Sequence, residues 1–67
     1  MRIEDLSRSE RENLIDEWIF KERDRQILKR RMLDGIHYEP LAEEFGLSVR
    51  HVKNIVRRSQ ERLFKHI

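Results

Sequence analysis

Three observations predict an all-α fold, a small four-helix domain whose C-terminal part is a helix-turn-helix. Apolar residues recur at spacings of three and four along the chain, with no alternating strand pattern and no internal repeat. The only proline, Pro40, and the two glycines, Gly35 and Gly46, fall where helices are expected to start or stop. The chain has 67 residues, and one so short buries little surface, so nearly every large apolar side chain must enter a single core. One domain over residues 1–67 is therefore expected, with the helix-turn-helix at about residues 38–57.

The elements follow in order. Ser9 followed by Glu12 fits a capping box, with Ser7 and Glu10 an overlapping alternative, and Leu14, Ile15, Trp18 and Ile19 then recur at helical spacing. A first helix is expected over residues 10–19. Ile27, Leu28, Met32 and Leu33 form a second apolar set in a stretch dense in arginine and lysine, and Gly35 is a good stop after it. That places a second helix over residues 22–34. Nothing near Phe20 and Lys21 forbids one continuous bent helix, but a break is expected there. Pro40 suits a first helical turn, where its missing amide hydrogen would be unpaired anyway, so a short helix is expected over residues 39–45, ended by Gly46. Ser48 is a natural N-cap for the last helix. In that helix Val52, Ile55, Val56, Ser59, Leu63, Phe64 and Ile67 fall on one stripe, while Arg50, Lys53, Asn54, Arg57 and Glu61 share the opposite face.

The spacing inside the last third carries the functional signal. Two helices joined by a tight turn, the second projecting into a groove about 12 Å wide, need backbones that approach closely. Ala42 supplies the small residue at the crossing, and Gly46 supplies a turn residue that tolerates positive φ. Val52 and Ile55 then hold the second helix down, with Leu41, Phe45 and Leu47 as further packing positions. The resulting pattern, Ala42-x3-Gly46-x5-Val52-x2-Ile55, meets each requirement within one short window.

Charge and composition narrow the class. The net charge is only +2, but the distribution is uneven. Residues 1–24 hold five basic and eight acidic side chains, whereas residues 48–67 hold six basic and one acidic. A positive C-terminal helix suits contact with phosphate, and a solvated basic face is the plain alternative. The chain has no cysteine, which leaves no disulfide framework or thiolate metal site and fits a reducing compartment, so a cytoplasmic location is expected. No apolar run approaches the roughly eighteen residues of a membrane span, and Met1–Leu6 does not look like a signal peptide.

The stretch YEPLAEEFGLSVRHVKNIVRRSQERLF resembles region four, the C-terminal DNA-binding segment, of sigma-70 family RNA polymerase sigma factors. The preceding FKERDRQILKRRMLDGI is similar to the family's upstream helix, so the resemblance covers about residues 14–66. It implies binding to the upstream promoter element through the last helix, and a grip by the first helices on a flexible flap of the polymerase core. The chain has no counterpart to the larger region that melts the promoter, so alone it is not expected to act as a complete sigma factor but as a module of that type, from a bacterium or one of its phages. A weaker resemblance, to the response-regulator type of helix-turn-helix, implies DNA binding as a homodimer.

With the last helix, about residues 49–65, entering the major groove N-terminus first, Val49, Arg50, Lys53 and Asn54 are best placed for base edges. Arg50 can pair its planar fork with guanine O6 and N7, and Asn54 can pair similarly with adenine. Val49 can touch a thymine methyl or staple the turn. Lys53, Arg57 and Arg58 suit phosphates, as do His51 and Ser48, the latter at the helix N-terminus. Arg30 and Arg31 on the second helix are candidates for added backbone contacts. Trp18, Phe20, Phe45 and Phe64 are expected in the core, with Trp18 and Phe20 alternatively lining a groove for a partner helix such as the polymerase flap. His37, His51 and His66 form no local metal motif, and no nucleophile, base and orienter come together, so no cofactor, metal or enzymatic activity is expected. The expected function is sequence-specific binding of double-stranded DNA in transcription regulation. The alternatives are a dimeric repressor or activator, and an adaptor that binds RNA polymerase without reading DNA.

Overall fold

A computed structural model of the chain, described over residues 5–66, contains four helices: α1 (Arg8–Trp18), α2 (Glu22–Met32), α3 (Tyr38–Phe45) and α4 (Val49–Phe64). The all-α class and the four elements agree with the sequence reading, and each boundary falls within about two residues of its expected place, as is usual for helix ends.

The start of α1 corrects one expectation. The cap is Ser7, not Ser9: the Ser7 hydroxyl accepts the Glu10 amide at 3.2 Å, and the Glu10 carboxylate accepts the Ser7 amide at 3.2 Å. Both pairs have the capping-box spacing, so local chemistry alone does not choose between them. The earlier start brings Arg8 onto the helix, where its guanidinium meets Asp34 at 2.7 Å and the Leu33 carbonyl at 3.3 Å. A long-range tie thus favours the Ser7 box.

The expected break after α1 is present. Ile19 (φ −104°, ψ 112°) and Lys21 (φ −80°, ψ 128°) are extended, so the chain turns out of one helix and into the next. Ile19 is buried in the core while Phe20 points outward. The carbonyls left open by the break do not go unmet: Arg25 donates to the Ile19 oxygen at 2.9 Å and to the Phe20 oxygen at 3.4 Å.

The core joins one face of every helix. Ile15, Ile27, Leu28, Leu41, Val52 and Leu63 are fully enclosed. α4 is the axis of the packing: it lies against α2 and α3 and, with a smaller contact, against α1. Its inner stripe is Val52, Ile55, Val56, Ser59 and Leu63. The sequence reading extended that stripe to Phe64 and Ile67. Phe64 is instead 52% exposed; it follows Leu63 by one residue, about 100° round the helix, which carries it past the edge of the core. Ile67 lies outside the described residues. Phe20 is the second aromatic expected in the core and found outside it, at 68% exposure. Phe45 and Trp18 do pack against the core, each half-buried.

Candidate nucleic-acid interface

The turn between α3 and α4 is built as the spacing demanded. Gly46 adopts the left-handed conformation (φ 65°, ψ 34°), which L side chains take only with strain. Its amide donates to the Glu43 oxygen at 3.3 Å, and the Leu47 amide donates to the Ala42 oxygen at 2.9 Å, so the last carbonyls of α3 are satisfied as the chain reverses. Ala42 is buried at 5% exposure, leaving room for the two helices to approach. Ser48 then starts α4 by accepting the His51 amide at 3.1 Å. This cap and the apolar anchors Val52 and Ile55 fix the direction in which α4 leaves the domain.

That geometry sorts the sequence-predicted residues. Arg50, His51, Lys53 and Arg57 are exposed on α4. Val49 packs against the core, as expected of a residue that staples the turn, and remains half-exposed. Asn54 is half-buried, and its backbone oxygen accepts the Arg58 guanidinium at 3.4 Å. Arg58 is exposed but lies to one side, where with Arg62 it faces Phe20. The early positions Val49, Arg50, Lys53 and Asn54 therefore share the N-terminal half of the helix, whereas Arg58 belongs to a different surface.

Electrostatics separates α4 from the rest of the chain. The helix carries five basic residues and one acidic residue. Among the described residues, none of the five is ion-paired, whereas Arg8, Arg23, Arg25, Lys29 and Arg30 each meet a carboxylate within 4.0 Å. Arg30, a candidate for a backbone contact, is held by Glu44 at 2.6 Å. Arg31 has no carboxylate partner among the described residues; it donates to the Ile36 oxygen at 3.2 Å and lies over the Tyr38 ring.

A second surface lies between the α1–α2 break and the C-terminal half of α4. Phe20 stands in it, flanked by Arg62 at 5.6 Å from the ring centre, and Arg58, Lys21 and the Arg23–Asp24 ion pair also line it. Trp18 closes one end, but its indole face is covered by His66, stacked at 3.5 Å with the two rings nearly parallel. The sequence reading named Trp18 and Phe20 as a partner groove and missed its basic wall. Arg58 and Arg62 stand four residues apart, the helical signal that would have shown them as neighbours on one flank of α4.

The model of sigma-70 region 4 matches residues 20–65, which span the α1–α2 break, α2 and the whole helix-turn-helix. The chain belongs to the sigma-70 region 4 family. No curated protein and no solved structure matches it. Membership brings with it a DNA-binding, transcription-regulating helix-turn-helix architecture from a family that works with DNA and RNA polymerase and is regulatory, not enzymatic. Among the described residues no three side chains converge as a metal site, and no helix is long and apolar enough to cross a membrane.

Proposed function

We propose that this sigma-70 region 4 chain is a sequence-specific, double-stranded DNA-binding regulator of transcription that places α4 in the major groove. The observation that carries this reading is the run of unpaired cations on the outer face of α4, directly after a helix-turn-helix bend. A phosphate or base edge arriving there displaces water and counterions but no carboxylate, so little is given up on binding. In this reading Arg50 and Asn54 contact base edges, with Val49 against a thymine methyl. Lys53 stands between the base edges and the backbone. Arg57, His51 and Ser48 meet phosphates, Arg58 meets a backbone further along, and Arg31 adds a contact from α2.

A second role is supported by the exposure of Phe20. A large aromatic side chain in an open groove with a basic rim fits a partner helix that has an apolar face and acidic flanks. RNA polymerase core is the partner this reading favours, because the family works with it.

The test is selection of binding sites from a random duplex library at physiological salt, run with the chain alone and again with polymerase core. Enrichment of one short asymmetric element supports the sigma-like reading. An inverted or direct repeat points to the homodimeric regulator. No enrichment under either condition would overturn DNA reading in favour of an adaptor that binds polymerase alone.

A further inference from the structure

Tyr38, the first residue of α3, is half-buried and packs against the core, so its ring is fixed by the fold. Two cations from two different helices converge on it. The Arg31 guanidinium carbon of α2 lies 4.5 Å from the ring centre, and the Lys53 ammonium nitrogen of α4 lies 5.5 Å from it. Neither cation is ion-paired among the described residues. Arg31 is further restrained by its bond to the Ile36 oxygen at 3.2 Å, which uses one of its five donors.

Like charges on flexible stems repel one another and disperse into solvent. Here the π-electron density of one aromatic ring attracts both. A carboxylate in the same place would hold them more strongly, as Glu44 holds Arg30, but it would also neutralise them. A ring fixes position while leaving charge available.

We infer that Tyr38 is a positioning residue for DNA binding: its ring holds Arg31 and Lys53 as a pre-arranged cationic pair bridging α2 and α4, ready for the DNA backbone at the edge of the groove. The inference rests on the reading of α4 as the DNA-facing helix. It departs from that reading in what it asks of Tyr38, which touches no DNA itself, and it assigns Lys53 to the backbone, not to a base.

The test compares Tyr38→Phe with Tyr38→Leu in fluorescence anisotropy titrations of a labelled mixed-sequence duplex across a salt series, with helix content and thermal unfolding measured alongside. Phe keeps the ring and loses only the hydroxyl, so its affinity should match wild type. Leu keeps the apolar packing and loses the ring, so affinity should fall about two- to fivefold, the size expected for an exposed cation–ring contact. A role confined to folding predicts no specific link to Lys53. Positioning predicts that Lys53→Met costs less in the Tyr38→Leu background than in wild type, while Arg57→Ala costs the same in both. Tyr38→Leu binding like wild type, or full additivity with Lys53→Met, would overturn this inference and leave the DNA reading standing. A wild-type chain with no salt-dependent affinity for any duplex would remove the DNA reading and this inference together.

Discussion

The first two helices and the last one use the same residue types for opposite ends. In α1 and α2 the cations tie helices together: Lys29 reaches Asp16 at 2.7 Å and Glu12 at 3.8 Å, Arg25 reaches Asp16 at 4.0 Å, Arg8 reaches Asp34 at 2.7 Å, and Arg30 reaches Glu44 at 2.6 Å. In α4 five cations face outward with no carboxylate partner among the described residues, and the helix is held by its apolar face. The contrast teaches that counting lysines and arginines does not locate a phosphate-binding surface. α2 is as rich in basic residues as α4, yet most of its charge is spent within the domain. A cation that must leave a carboxylate to meet a phosphate exchanges one ion pair for another, whereas a solvated one gains the contact and releases counterions.

The largest effect expected from breaking this contrast lies on the inner face of α4. If apolar contact alone holds that helix, Ile55→Ala should lower unfolding free energy by about 2–5 kcal/mol, a large part of the roughly 5–15 kcal/mol typical of a folded domain. Urea or thermal unfolding measures it. A loss well under 1 kcal/mol would mean that something other than this packed stripe keeps α4 in place.

The outer face of the same helix should respond in binding and not in folding. Arg50→Ala is expected to lose about 1–3 kcal/mol of preference for the selected site over other duplexes. Arg57→Ala should instead weaken all duplexes alike and reduce the salt slope of binding by about 0.9. Competition titrations with matched and mismatched duplexes separate the two. Identical behaviour of both variants, insensitive to salt, would dissolve the division between base reading and backbone contact along α4.

What was legible in the sequence divides along the same line. The helix-turn-helix was readable because its requirements are local: Ala42 at the crossing, Gly46 at positive φ, Ser48 as cap, and Val52 and Ile55 one turn apart. The outward set on α4 was readable from periodicity for the same reason. What escaped depends on contacts between distant positions. Choosing Ser7 over Ser9 as the first cap turned on Arg8 meeting Asp34, 26 residues away. Phe20 and Phe64 were assigned to the core on hydrophobicity, but a break in the chain exposes one and the end of a helical stripe exposes the other. Tyr38 drew no assignment of its own, since no local pattern announces that Arg31 and Lys53 will meet on its ring.

The smallest effect sharpens the contrast most. Lys29 of α2 has two acidic partners, both on α1, and its own side chain is 27% exposed. Replacing it with methionine keeps much of the stem that covers the apolar seam and removes the charge. Because both acidic partners are half in solvent, the pairing is worth only about 0.2–1 kcal/mol and should shrink as salt rises. Lys29→Met should therefore lower the unfolding midpoint slightly at low salt and hardly at all at high salt, with DNA affinity and its salt slope unchanged. A clear fall in affinity or in slope would show that an internally paired cation still reaches the nucleic acid. The division between structural and binding charge would then have to be drawn by distance from the duplex, not by pairing within the domain.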